Sequence, residues 1–162
     1  MNDVTVELYE RVWMWAAAVL IAFFMSAIAY GAYAGTQHPA SHVETIDPRS
    51  ARVDARFARP GVTVRPDGSA EVVVLAQMFS FAPNEIRVPA AKPITFRLTS
   101  PDLIHGFQIV ATNGNTMVVP GYVSQFTTVF DSPGTYLIVC NEYCGLGHHM
   151  MHGRLIVEGG RS

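Results

Sequence analysis

Charge is scarce in this 162-residue chain: 15 % of residues are Asp, Glu, Lys or Arg, against 49 % hydrophobic. The 11 basic residues do not outnumber the 13 acidic ones and form no cluster, which argues against a nucleic-acid partner. Cysteine is scarcer still. Two residues are too few for a disulfide-dense scaffold, and their closeness marks a site rather than a framework. Internal repeats and low-complexity tracts are absent. Global disorder is excluded as well, because 9 Phe, 6 Tyr and many Val and Ile suffice to bury a core. The length fits one ordinary domain plus a small extra segment.

Residues 12–36 contain no Asp, Glu, Lys, Arg, Asn or Gln. As a helix rising ~1.5 Å per residue, positions 12–33 span about 33 Å, enough to cross a bilayer. Trp13 and Trp15 sit at one end of this stretch and Tyr30 and Tyr33 at the other, as in an aromatic belt. A cleaved signal peptide is the competing reading, with Ala32-Tyr33-Ala34 as a cleavage-like site. Asp3, Glu7 and Glu10 against Arg11 alone make a poor basic leader, however, and the apolar stretch exceeds the usual ~7–15 residues. A retained anchor is therefore expected over residues 1–36. Arg11 favours a cytoplasmic N-terminus, with the rest of the chain outside.

Residues 37–70 read as a connector, with Pro39, Pro48, Pro60 and Pro66 and little periodicity. His38 and His42 fall here and read as solvated side chains. From residue 71 to 162 short apolar or alternating runs follow one another, at 72–76, 94–99, 107–110, 117–119, 126–130, 136–139 and 155–157. Within 94–99, Ile94, Phe96 and Leu98 share one face. Asn113-Gly114, Pro120-Gly121 and Pro133-Gly134 punctuate the runs. The pattern predicts an all-β sandwich or barrel of roughly ninety residues.

Chemistry concentrates in Cys140-Asn-Glu-Tyr-Cys144-Gly-Leu-Gly-His148-His149-Met150-Met151-His152, a loop between two predicted strands. It offers two thiolates, imidazoles and thioethers, soft donors that suit copper. His105, in the earlier turn 100–105, can add an imidazole, since sandwich ends bring distant loops together. A disulfide between Cys140 and Cys144 leaves the following His and Met unexplained. Zinc leaves the Met without a role. A mononuclear blue-copper site wants one Cys, two His and a weak axial Met, which is one Cys fewer than here. Two bridging thiolates can instead hold two copper ions, each with one imidazole and one weaker donor. The residues alone do not choose between His148 and His149, or between Met150 and Met151.

The pattern Cys-x-Glu-x-Cys-x-x-x-His-x-x-Met with an upstream His resembles the binuclear copper A loop of subunit II of heme–copper oxygen reductases. The runs Ser100-Pro101-Asp102-Leu103-Ile104-His105-Gly106-Phe107 and Cys140 to His148 resemble its B-type, ba3-like branch. The likeness covers nearly the full chain. It implies a cupredoxin-like Greek-key sandwich preceded by one N-terminal transmembrane helix. It also implies Cys140 and Cys144 as bridging thiolates, His105 and His148 as terminal imidazoles, and Met151 and the Glu142 carbonyl as weak axial ligands. The implied role is to take electrons from cytochrome c or a similar small donor. They pass to heme in a large subunit I, where oxygen is reduced to water with proton translocation. A prokaryotic cell membrane and a small additional helical subunit belong to the same picture. A nitric oxide reductase subunit and a membrane-tethered copper carrier or assembly protein are the alternatives.

The same resemblance makes Glu142 a candidate ligand for magnesium. It makes Glu10, in Tyr9-Glu10-Arg11-Val12-Trp13, a candidate for proton uptake, although a carboxylate at a helix N-terminus is also ordinary dipole chemistry. Asn141, Tyr143 and Asp102 stand beside ligands and either orient them or serve as turn residues. His149 and His152 read as surface positions. Phe79 and Phe81 alternate and are expected on one side of a strand, as core packing or as the lining of an electron path.

Overall fold

The computed structural model describes residues 3–34 and 44–159, which form two compact units divided near residue 42. His38 and His42 lie outside the described residues. The first unit is a helix, α1 (Asp3–Ala34). Its stretch Val6–Gly31 has mean hydropathy 2.2 and is long and apolar enough to cross a membrane. The side chains of this stretch are exposed in the isolated chain. Ser26, a polar residue within it, donates its hydroxyl to the Ala22 carbonyl at 2.7 Å, which meets its need for a partner in an apolar setting.

Among its described residues the second unit has ten strands: β1 (Gly61–Val64), β2 (Ala70–Gln77), β3 (Ser80–Ala82), β4 (Glu85–Pro89), β5 (Pro93–Thr99), β6 (His105–Ile109), β7 (Asn115–Val118), β8 (Ser124–Val129), β9 (Gly134–Val139) and β10 (His152–Glu158). One sheet runs β1-β2-β5-β8, with β3 paired to β2, and the other runs β4-β10-β9-β6-β7. The pairs β2–β5 and β4–β10 are parallel, so connections cross between the sheets. Alternation along the strands builds the core. Val72, Val74 and Ala76, then Ile94, Phe96 and Leu98, face Ile86, Val88, Phe107, Ile109, Ile138, Leu155 and Val157. Phe96 stacks on Phe126 with centroids 4.9 Å apart, and Phe107 meets Phe81 edge-on at 5.4 Å.

A second, smaller core lies on residues 46–57. Ile46, Ala51 and Phe57 pack with Leu75. Ion pairs fix this segment to the sheet: Glu44 accepts from Arg97 at 2.6 Å and from Arg56 at 2.6 Å, and Arg56 also holds Asp54 at 2.8 Å. The Arg56 hydrogen bonds pull the Asp54 carboxyl down to about 2.

Two local expectations change. His105 is not in a turn but is the first residue of β6, with Val118 opposite it. Phe79 does not share a strand with Phe81: it lies in the turn between β2 and β3 at φ 65°, while Phe81 lies in β3 and is buried in the core. One left-handed residue breaks the two-residue period that the sequence suggests.

Candidate metal centre

The site lies where β9 ends, β10 begins and β6 begins. Cys140 directly follows β9 and donates its backbone N–H to the Met151 carbonyl at 3.2 Å, so the loop's first and last sulfur residues share a hydrogen bond. Between them the chain makes a 3-10 turn, His148–Met150, that aims His148 back toward Cys144. The two sulfurs are unbonded and 3.8 Å apart. Around Cys144 stand His148 Nδ1 at 3.7 Å and Met151 Sδ at 3.7 Å, and around Cys140 stands the Glu142 carbonyl at 3.2 Å. One nitrogen of His105 and both sulfurs lie within 4.8 Å of one another.

Burial makes this group costly without a ligand. Cys140, Cys144, Met151 and His105 are all buried, His105 completely. Among the described residues, His105 Nδ1 is the buried side-chain nitrogen or oxygen that lacks a hydrogen-bond partner. An orphaned buried polar atom demands an explanation, and an imidazole clustered with two buried sulfurs has one in a soft metal ion. Burial, reinforced by the neighbouring Cys140, pushes the Cys144 thiol up to about 11. A metal binding there must displace that proton.

The other His105 nitrogen, Nε2, donates to Asp102 Oδ1 at 2.9 Å. Asp102 also accepts from the backbone N–H of Leu103 and of Met78, each at 2.7 Å, and from the Ser100 hydroxyl at 3.1 Å. Burial works against its charge, but these hydrogen bonds outweigh burial and hold the carboxyl below the usual range. This fixes the His105 tautomer and leaves Nδ1 free for a metal.

The remaining positions sort by contact. The Tyr143 ring lies 5.7 Å from that of His148 and is largely exposed. Asn141 donates to Asn115 on β7 at 3.3 Å. A shallow cleft of about 280 Å³ beside it is lined by Asn115, Thr116, Met117, Asn141 and Glu142. His149, Met150 and His152 are exposed, and His152 Nδ1 donates to the Met150 carbonyl at 2.8 Å. The structure thus brings His148 and Met151, rather than His149 and Met150, to the sulfurs.

Gly106 was not singled out in the sequence. It lets the ligand loop touch β6: a Cβ there would overlap Asn141 Oδ1 and sit 2.8 Å from the backbone nitrogens of Asn141 and Glu142. Nothing in the sequence distinguishes this glycine from one in a turn.

Comparison with known proteins decides the family. A family model described as cytochrome C oxidase subunit II, periplasmic domain, matches residues 66–159. A cytochrome c oxidase subunit 2 of Thermus thermophilus is 40 % identical over 154 residues, which cover 93 % of this chain and 92 % of that one. This chain belongs to the cytochrome c oxidase subunit II family. A second Thermus thermophilus cytochrome c oxidase subunit 2 is 44 % identical over 122 residues, 74 % of this chain and 90 % of its own length. The likeness to Thermus subunits agrees with the B-type resemblance of the copper loop. Among solved structures, a chain of a heme–copper terminal oxidase dimer superimposes with a TM-score of 0.69 at 32 % identity, over 93 % of this chain and 99 % of that one. The periplasmic domain of subunit II of the Bradyrhizobium japonicum cytochrome oxidase shares the fold, with a TM-score of 0.52 at 19 % identity over 62 % of this chain and 88 % of its own. The subunit II fold is thus a cupredoxin-like sandwich after one apolar helix, and its buried Cys and His donors suit copper.

Proposed function

We propose that this subunit II accepts electrons through a binuclear copper centre and delivers them to the heme subunit of a terminal oxidase. In this reading the Cys140 and Cys144 thiolates and the His105 and His148 imidazoles would hold the two ions, with Met151 and the Glu142 carbonyl as weaker donors. The observation that carries it is the second thiol. Both sulfurs are buried in one cluster, and each has its own further donors: Glu142 O beside Cys140, and His148 and Met151 beside Cys144. A mononuclear blue-copper site, with its one Cys, leaves the second thiol without a role. When bound, the copper pair supplies a one-electron acceptor that is also a donor. The protein's part is to keep the ligands still. The hydrogen-bonded neck of the loop, the Asp102 carboxylate behind His105 and the Gly106 contact all restrict ligand movement as charge changes.

The exposed rim around the site carries Leu103, Ile104, Tyr143, Leu146 and Met150, with Asn141, His149 and His152 among them. Such a rim suits a small redox protein such as cytochrome c. Glu142 is the acidic residue among those lining the adjoining cleft, which supports it as a magnesium contact shared with the large subunit. Arg11 and the periplasmic character of the matching family support an N-terminus inside a prokaryotic cell and a copper domain outside. The bare surface of α1 supports helix contacts with the large subunit and with a small additional helical subunit. On α1, Glu10 is exposed beside Val6, Tyr9, Trp13 and Met14, and its carboxylate is the proposed proton-uptake group.

The test is the optical and EPR spectrum of the copper-loaded full-length chain, with copper counted. A mixed-valence signal from two coppers per chain is expected. One Cu(I) per chain would overturn the reading in favour of a copper carrier. The heme subunit that copurifies separates an oxygen reductase from a nitric oxide reductase.

A further inference from the structure

The two ligand-bearing segments, His105 at the start of β6 and the loop 140–151, are separate in sequence. A third segment touches both. The turn between β2 and β3 offers the Met78 N–H to Asp102 Oδ2 at 2.7 Å, and Asp102 Oδ1 holds His105 Nε2 at 2.9 Å. The next residue, Phe79, packs on the core cluster that includes Cys140, Cys144 and Met151. Its ring fills a slot in the ligand loop made by two glycines. A Cβ on Gly147 would lie 2.5–2.9 Å from three carbons of that ring, and one on Gly145 would lie 3.3 Å from Cε1. Phe79 occupies this slot at φ 65°, a conformation unfavourable for a bulky side chain. The β2–β3 pairing of Gln77 with Ser80, the Met78–Asp102 bond and the glycine slot hold it there.

We propose that the Met78–Phe79 turn is a strut between the two halves of the metal centre, with Asp102 and Phe79 as positioning residues. The contacts form a closed circuit: His105 to Asp102, Asp102 to Met78, Phe79 to Gly145 and Gly147, and these glycines to Cys144 and His148 along the chain. Opening the circuit at either end removes the tie that this turn adds to the direct contact of Gly106 with the ligand loop, and so loosens both halves. The inference rests on the loop 140–151 and His105 being the copper ligands, as proposed above.

Two substitutions open it at different points. Asp102→Asn keeps the size of the side chain, but its amide cannot accept from both His105 and Met78 with separate oxygens. Phe79→Gly deletes the ring while leaving a residue at ease with positive φ. Each is made in the full-length, copper-loaded chain, alone and together. The readouts are the EPR hyperfine pattern, the reduction potential and the rate of copper release to a chelator. Each single variant is expected to change the hyperfine pattern and to release copper about 10- to 100-fold faster, the usual effect of removing a partner behind a ligand. The double variant is expected to release it no faster than the worse single, because one circuit can be opened only once. Rates that multiply, or single variants with unaltered spectra, overturn the strut. So does a Phe79→Gly chain that keeps copper normally and only accepts electrons more slowly, which would make the ring an electron path. If Phe79→Gly does not fold, Phe79→Leu is read by the same criteria. The wild-type spectrum and copper count test the binuclear reading separately, so failure of one is not mistaken for failure of the other.

Discussion

Gly106→Ala probes the tightest glycine position among the described residues. Gly106 is buried in β6, opposite Met117, and the added methyl would point at the ligand loop. The Asn141 amide can swing aside, since its bond to Asn115 is long at 3.3 Å. The backbone nitrogens of Asn141 and Glu142 cannot. They would stand 2.8 Å from the new carbon where ordinary contact begins at 3.4 Å, so the loop must retreat by about 0.6 Å. Overpacking of this kind costs about 1–3 kcal/mol. The reduced freedom of the unfolded chain returns about 0.4–1 kcal/mol. A net loss of about 1–2 kcal/mol lowers Tm by roughly 4–8 °C for a domain of this size. The matched control is Gly134→Ala at the start of β9, where the nearest atom is Tyr136 Cε2 at 3.8 Å. It is expected to raise Tm by a few degrees, on the order of the entropic gain alone. Thermal melts of the copper-free chain, with the copper spectrum of the loaded chain, give the comparison. A Gly106→Ala chain that melts at or above wild type with an unchanged spectrum would refute the reasoning.

Other substitutions probe the ligands and the frame. Cys140→Ser and Cys144→Ser should each abolish the two-copper signal, whereas Met151→Leu should keep both coppers and shift the reduction potential, because axial donors tune more than they hold; copper counts and potentiometry decide. Glu10→Gln in the assembled oxidase should slow turnover, and turnover at the wild-type rate removes the proposed proton role. Arg56→Ala should lower Tm at neutral pH, with the gap to wild type closing in acid. Asp54 titrates at about 2 against an ordinary value of about 3.9, so its pairing stabilises fully above that ordinary value and is lost as pH falls through about 2. A gap that persists at pH 2 would show that Arg56 acts by packing alone.

Much of the sandwich is written in local pattern. The alternation at Ile94, Phe96 and Leu98 and the β-branched run at 72–76 map onto β5 and β2 because a half-buried strand imposes a period of two. The strands β1, β3 and β4 escape notice, as β1 and β3 span only four and three residues and leave little room for a period to show. Phe79 misleads for a related reason. Its alternation with Phe81 looks like a strand face, but a left-handed backbone at one position redirects the ring into the ligand loop. The spacing Cys140, Cys144, His148, Met151 is visible because a single loop carries it. The hydrogen bond from Met78 to Asp102 joins residues 24 apart, and the contact of Gly106 with Asn141 joins two distant segments. Neither leaves a mark in sequence, since a glycine chosen for proximity looks like any other.

The ladder between β9 and β10 sets Val139 opposite His152, the residues just outside Cys140 and Met151. The interval between the outermost sulfurs is therefore a perimeter, pinched shut at its neck, and not merely a count along the chain. A residue inserted between Cys144 and His148 would enlarge the ring and spoil the ligand set while the sandwich stays whole. A residue inserted within β10 would do the reverse kind of damage: it would slide one side of the neck past the other and turn Leu155 and Val157 outward. Evolution can thus redesign the metal chemistry of such a protein by editing the ring, provided that it leaves the clasp alone.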